Sequence, residues 1–275
     1  MTEIFKRLLR SPQGATGLFI ILLALVMVIG GKALAPYDPE SLSILARFKP
    51  PGAEHWFGTD QMGRDIFSRV LVGARATIVL SLLATIAAMV IGSVIGTASA
   101  YLGGRFDEFL MRTMDAVMAI PSLLFALLIV STLGESSINA VLAITIAFVP
   151  GMVRLSRSVA LATRQQDYIS SAIARGESAS YIIIREMLPN ILAPIIVEAT
   201  IRVAFAIMLF ATLSFLGLGA QPPEPEWGLM VSEARDYFFN APWMMMLPSL
   251  AIAIVAIGFN LLGDGLRDAL NPGSH

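Results

Sequence analysis

Glu198 and Arg202 stand four positions apart inside an otherwise apolar stretch of this chain. A charged side chain placed inside a membrane costs about 2.5 to 3.5 kcal/mol, so such residues either form a site or neutralise each other. Positions i and i+4 lie on one helical face, where the two side chains can form an ion pair. We expect both to face the interior of a helix bundle or a partner chain.

Other chemistry is excluded by residues and motifs that the sequence lacks. There is no cysteine, and the two histidines, His55 and His275, have no metal-ligand spacing. No glycine-rich loop ends in Gly-Lys-Ser or Gly-Lys-Thr, so the chain has no P-loop for ATP. We expect no catalytic residue, no metal and no cofactor bound by this chain, and no nucleic-acid partner.

The composition predicts an integral membrane protein, because 56% of the residues are hydrophobic and only 14% are charged. A helix needs about 20 apolar residues to cross the hydrocarbon. Runs of roughly this length are residues 17–34, 77–101, 117–133, 138–153, 191–216 and 247–262. The predicted fold is therefore all-α, a polytopic membrane helix bundle with six transmembrane helices.

The distribution of Lys and Arg near the span ends predicts that both termini are cytoplasmic. The first run also resembles a secretory signal with an A-x-A site at residues 33–35. Pro36 after that site and Lys32 before it disfavour cleavage, so we expect an uncleaved membrane anchor.

Glycines and prolines inside the runs predict close helix packing and kinks. Gly92 and Gly96 form a small-xxx-small motif, which lets a neighbouring helix approach, most simply within the same chain. Pro121 and Pro150 leave backbone carbonyls without an N–H partner and can kink their helices.

Two loops are predicted to lie on the outer side. Residues 57–75 mix charged and apolar side chains, which suggests an amphipathic segment lying across the outer mouth of the bundle. Residues 219–242 contain several prolines together with Trp227, which predicts a stiff loop at the membrane interface.

A polar stretch, residues 154–190, separates the fourth and fifth apolar runs and carries five arginines. Gly176 interrupts its helical pattern, and Leu188-Pro189 closes it. We expect this stretch to lie outside the bilayer and to be bound by a partner protein.

From Asp167 onward, this stretch resembles the cytoplasmic coupling segment, the EAA loop, of ABC importer permeases. We call residues 164–190 the EAA-like segment. Gly176 falls on the family's glycine, Ala172 on its alanine and Leu188-Pro189 on its ending. By contrast, Ser170 and Ser171 stand where the family has Glu-Ala, and Glu186 replaces a more usual histidine or other residue. The resemblance implies two short helices that meet at the glycine and rest in a groove of the ATPase. The residues that it assigns to ATPase coupling are Asp167, Tyr168, Ser170, Ser171, Ala172, Ala174, Gly176, Arg185, Leu188 and Pro189.

Four further segments, residues 57–75, 106–127, 213–235 and 259–272, resemble the peptide/nickel subfamily of these permeases, most closely its C-type subunit. The resemblance implies a type I ABC importer permease fold with a cytoplasmic coupling helix. It also implies an N-terminal region (residues 1–76) with the first transmembrane helix and a long extracytoplasmic loop. A core domain (residues 77–272) would hold five helices and the EAA-like segment.

The resemblance implies a non-enzymatic subunit, multi-pass in the bacterial cytoplasmic (inner) membrane and in contact with lipid. The expected partners are a homologous second permease, two ATP-binding-cassette ATPase subunits or domains that use ATP and Mg, and an extracytoplasmic solute-binding protein. Glu198, Arg202 and Trp227 are candidates for the translocation path or the permease interface. Di- or oligopeptides are the expected cargo, with nickel complexes, glutathione or opines as alternatives within the family. A secondary transporter is the alternative class, although we find no internal repeat of the kind such proteins show.

Overall fold

The computed structural model describes residues 2–270, and these residues form helices joined by turns and loops. The helices are α1 (Thr2–Arg10), α2 (Pro12–Leu34), α3 (Ile66–Leu102), α4 (Gly104–Met118), α5 (Ser122–Leu133), α6 (Ser137–Arg164), α7 (Asp167–Ala174), α8 (Ala179–Tyr181), α9 (Leu188–Phe215), α10 (Trp227–Ala234) and α11 (Trp243–Leu270). A π-helical turn, Ile182–Met187, joins α8 to α9. The last positions of the predicted core domain, 271 and 272, lie outside the described residues.

Polar side chains begin the long helices by satisfying backbone N–H groups that have no partner inside the helix. Ser11 accepts a hydrogen bond from the Gly14 N–H at 2.8 Å at the start of α2. Asp65 accepts one from the Ser68 N–H at 2.8 Å, which fixes the start of α3. As a result, α3 begins before Thr77, and residues that we assigned to an outer loop form its first turns.

Five helical segments are long and apolar enough to cross a membrane: α2, α3, α6, the continuous segment from α8 through α9, and α11. The predicted third span, residues 117–133, is not one helix. It is broken between α4 and α5, which meet at an angle of 89°. The break falls at Pro121, because proline disfavours a helical conformation in the residue before it.

The bundle is organised around α3, which packs along α6. Gly92 and Gly96 face Met152 and Val153 of α6, and a Cβ on either glycine would overlap these residues. The predicted small-xxx-small contact is therefore made, and its partner is a helix of the same chain. Arg157 of α6 also holds α4 in place through a bidentate ion pair with Asp107 at 2.5 Å.

The two ends of the bundle differ. One end, here the loop end, carries residues 35–65 and 217–242 over a core that includes Ile66 and Trp227. The other, the EAA-like end, has a core of Ile169, Ala172 and residues of α6 and α9.

Candidate functional site

The EAA-like segment turns sharply at Gly176. The Gly176 N–H donates to the Ile173 carbonyl at 2.9 Å, and the Glu177 N–H donates to the Ala172 carbonyl at 3.2 Å. These two bonds end α7 with a left-handed residue, and Gly176 has φ of +79°. Because nothing lies within 4 Å of a Cβ placed on Gly176, the glycine is required there for its backbone conformation.

One face of α7 fixes the segment to the bundle. Ile169 and Ala172 are fully buried and pack in one cluster with Ile182 and Met187 of the π-helical turn. Arg164, which begins the segment, donates to the Ala100 carbonyl at the end of α3 at 3.0 Å. The buried face of α7 therefore shares one core with residues of α3, α6 and α9.

The opposite face of the EAA-like segment is exposed and partly apolar. Of the residues that we assigned to coupling, Asp167, Tyr168, Ser170, Ser171, Ala174, Gly176, Arg185 and Pro189 are exposed, Leu188 is half-buried and Ala172 is buried. Sequence reasoning missed three exposed apolar residues among them, Ile173, Tyr181 and Ile184. Each of them lies three or four residues from a residue that we assigned to coupling, so helical periodicity could have indicated that they share the same face. Partial desolvation of the Tyr168 side chain raises the pKa of its hydroxyl, and the nearby Glu186 carboxylate raises it further.

The second short helix implied by the resemblance is not separate. Residues 179–215 form one continuous helical segment, with the π-helical turn before Pro189. Proline has no N–H and its ring crowds the carbonyl four residues earlier, so a wider turn relieves the conflict. The Leu188 N–H accordingly donates to the Ile183 carbonyl, five residues back.

Glu186 lies near Arg175 across the Gly176 turn. The Glu186 carboxylate is 3.8 Å from the Arg175 guanidinium, and Glu177 lies 3.7 Å from the same guanidinium. These partly exposed pairs contribute little stability, and they place charge on both sides of the Gly176 turn.

Glu198 and Arg202 form the ion pair that their spacing predicts, with 3.1 Å between Oε1 and Nη2. Both line a cavity of about 410 Å³ between α5, α6 and α9. The Arg202 guanidinium also lies 5.8 Å above the centre of the Phe148 ring.

Trp227 does not line this cavity, and its side chain is fully buried. Its indole N–H donates to the Val70 carbonyl at 2.9 Å, and its backbone N–H donates to the Thr77 hydroxyl at 3.2 Å. Trp227 is the first residue of α10 and packs against α3, where none of its surface is left for a substrate or another subunit. The burial of Trp227 therefore contradicts its predicted place in the path or the interface.

The sequence also gave no sign of a buried ion cluster at the loop end, the Asp60 cluster (Asp60, Arg64, Arg69 and Glu233). Asp60 lies 2.6 Å from both arginines, and Glu233 lies 3.0 Å from Arg64 and 2.9 Å from Arg69. These charges of residues 57–75 point inward, so the predicted amphipathic surface segment is wrong. Only the tertiary contact with Glu233 of α10 makes their burial possible.

Comparison with known families assigns the class of protein. The model of the family described as "binding-protein-dependent transport system inner membrane component" matches residues 88–274. That of the "N-terminal TM domain of oligopeptide transport permease C" matches residues 1–51. The chain belongs to this family of inner-membrane permeases, which confirms the resemblance seen in the sequence and excludes a secondary transporter.

Individual relatives agree over nearly the whole chain. The Probable D,D-dipeptide transport system permease protein DdpC of Escherichia coli K12 is 46% identical over 95% of this chain and 88% of the relative. The dipeptide transport system permease protein DppC of Alkalihalophilus pseudofirmus is 42% identical over 98% and 89%. The glutathione transport system permease protein GsiD of Escherichia coli O6:K15:H31 is also 42% identical over 98% and 89%.

A solved structure shares the fold. The inward-facing MetNI methionine ABC transporter contains a chain that matches with a TM-score of 0.58 and 17% identity, covering 73% of this chain and 96% of that chain. The predicted type I ABC importer permease fold is thus confirmed.

Proposed function

We propose that this chain is the C-type permease of an importer for di- or oligopeptides. The named relatives DdpC and DppC support the peptide cargo. The observation that carries the coupling function is the form of the EAA-like segment. It has one buried face that fixes it to α3, α6 and α9, and one exposed apolar face that includes Ile173 and Ile184.

The exposed face of the EAA-like segment is the docking surface for the ATPase in this proposal. ATP and Mg are bound and used by two ATP-binding-cassette subunits, and this chain has no catalytic residue of its own. Approach of the ATPases pulls on residues 167–189 and changes the packing of α9 against α3 and α6. The side chains that fix the segment move with it because they are close-packed.

The EAA-like end is cytoplasmic in this proposal, and both termini lie on that side. One contact supports placing both termini at the same end of the bundle. Gly14, near the start of the chain, packs directly against Gly265, near the end of α11. The loop end then faces outward, where its exposed Leu45 and Phe239 are available to a solute-binding protein.

A homologous second permease completes the path. Phe205 and Met208 of α9 lie beside the cavity of Glu198 and Arg202 and are exposed in the single chain. A path that is wide enough for a peptide needs walls on all sides, so the second permease covers this face.

The test is uptake by proteoliposomes that contain the full complex of both permeases, both ATPases and the solute-binding protein. We expect uptake of labelled dipeptide or oligopeptide that requires ATP and the binding protein. Glutathione is the second candidate cargo, because GsiD is as similar to this chain as DppC is. Its uptake is assayed in parallel. Uptake that proceeds without ATPase subunits, or of none of these cargoes, contradicts the proposal.

A further inference from the structure

The cavity beside Glu198 and Arg202 has the size and lining of a small-ligand site. Its volume of about 410 Å³ lies within the range of about 300–1,000 Å³ that is common for such sites. Its other lining residues are mostly apolar and include Ser122, Leu123, Phe148, Phe205, Met208 and Thr212. A second cavity of about 100 Å³ shares Ser122, Phe148 and Arg202 and reaches the break between α4 and α5.

Arg202 retains hydrogen-bonding capacity that the protein does not use. A guanidinium has five N–H donors, and its Nη2 lies 3.1 Å from Glu198. Its Nε is buried and has no hydrogen-bond partner. An unmet buried donor is costly, so the ion pair with Glu198 does not fully satisfy this guanidinium.

The accessibility of the pair distinguishes it from a purely structural ion pair. The side chains of Arg202 and Glu198 are 24% and 30% exposed. In the Asp60 cluster, Asp60 and Arg69 are each 3% exposed and sealed from solvent. Glu198 and Arg202 are therefore accessible from the cavity, although they lie in a helix apolar enough to cross a membrane.

We propose that this cavity is a transient binding site for a zwitterionic substrate, in which Arg202 binds a carboxylate and Glu198 binds an ammonium group. Arginine suits carboxylates because its planar fork can donate two parallel hydrogen bonds. The pair is neutral overall, so a ligand with one charge of each sign replaces an internal ion pair by two intermolecular ones without leaving net charge in the membrane. The site rests on the proposed function, since a free peptide carries both groups.

The experiment measures uptake of Ala-Ala, its carboxyl-amidated form and its N-acetylated form by proteoliposomes with the full complex. Binding of each peptide to the solute-binding protein is measured separately and used to normalise the rates. We expect Arg202→Gln to slow Ala-Ala uptake about tenfold or more, the loss of one charge-assisted contact, and to slow uptake of the amide much less. Glu198→Gln is expected to slow uptake of Ala-Ala, which has a free amine, by a similar factor. Uptake of the N-acetylated peptide should be slowed much less. Arg202→Lys is expected to restore part of the Ala-Ala rate.

The double variant Glu198→Gln/Arg202→Gln separates binding from structure. If the pair only neutralises itself, the double variant has no unpaired charge and transports Ala-Ala at the wild-type rate, which overturns the inference. If the pair binds substrate, the double variant is at least as slow as either single variant.

A second measurement tests the binding site independently of the proposed transport function. Saturation-transfer NMR with Ala-Ala on the purified complex without solute-binding protein detects weak contact directly. We expect a signal with wild type that is lost with Arg202→Gln. No wild-type signal, or an equal signal in the double variant, overturns the site. Absence of peptide uptake together with a wild-type signal that depends on Arg202 contradicts only the peptide-import function.

Discussion

Asp60 and Arg69 form an ion pair of 2.6 Å in which both side chains are only 3% exposed. The same carboxylate oxygen of Asp60 lies 2.6 Å from Arg64, and Glu233 of α10 supplies the second negative charge. The four charges balance and join the loop before α3 to α10. Two nitrogens of Arg69, Nε and Nη2, are buried without a partner, so the cluster depends strongly on its two carboxylates.

Removal of the central carboxylate is expected to destabilise the loop end. Asp60→Ala leaves two buried arginines with only Glu233, and breaking a buried pair in this way costs about 3–5 kcal/mol. The measurement is the apparent melting temperature in detergent. The control is Glu108→Ala, which removes an exposed pair with Arg112, where the side chains are 62% and 78% exposed, and we expect almost no change there. Equal shifts for the two variants contradict the structural role of the cluster.

Substitution of Gly176 is expected to impair coupling to the ATPase. Valine disfavours the φ of +79° by about 1–2 kcal/mol and should distort the turn after α7. We expect Gly176→Val to insert normally but to lose most ATP-dependent uptake, while the ATPase activity becomes independent of substrate. The matched control is Gly134→Val, because Gly134 also has positive φ, +97°, and open space around its Cβ. The coupling assignment is wrong if Gly176→Val transports as well as Gly134→Val.

A single methyl group on Gly96 is expected to separate α3 from α6. The Cβ of Gly96→Ala would overlap the carbonyl oxygen of Val153, and backbone atoms cannot move aside easily. The melting temperature should fall. By contrast, a Cβ on Gly30 would meet only the end of the Leu34 side chain at 3.4 Å. Gly30→Ala should therefore be neutral or stabilising by up to about 1 kcal/mol, because alanine favours helices over glycine. A larger fall in melting temperature with Gly30→Ala than with Gly96→Ala would contradict the close contact between α3 and α6.

Glu226 is expected to make the stability of the loop end depend on pH. Burial raises the pKa of this carboxyl above its ordinary value of 4.5, although hydrogen bonds from the Gly228 and Leu229 N–H groups and from Thr77 oppose the shift. The folded state then binds the proton more tightly than the unfolded state. Its stability contribution is complete below pH 4.5 and is lost as pH rises through the folded pKa.

Glu226→Gln tests this dependence because glutamine keeps the shape and removes the charge. We expect its melting temperature to fall less than that of wild type as pH rises above 4.5. The control is Glu224→Gln, an exposed carboxylate in the same loop, which should retain the wild-type pH dependence. An unchanged slope in Glu226→Gln would show that another group is responsible.

Several features of the fold and the candidate site followed from local sequence alone. Apolar runs predicted the spans, because a helix that crosses the hydrocarbon needs about 20 consecutive, mostly apolar residues. The i,i+4 spacing predicted the Glu198–Arg202 pair, and Gly176 predicted the turn in the EAA-like segment, because helix geometry fixes both relations within a few residues. The whole-chain resemblance identified the family.

The tertiary structure decided which side chains are accessible. Trp227 and the charges around Asp60 resemble surface residues in sequence, yet α3 and α10 bury them together. Conversely, Glu198 and Arg202 are partly exposed to a cavity only because α5, α6 and α9 leave space there. Burial is a property of contacts between distant segments, so neither spacing nor composition along the chain could determine it.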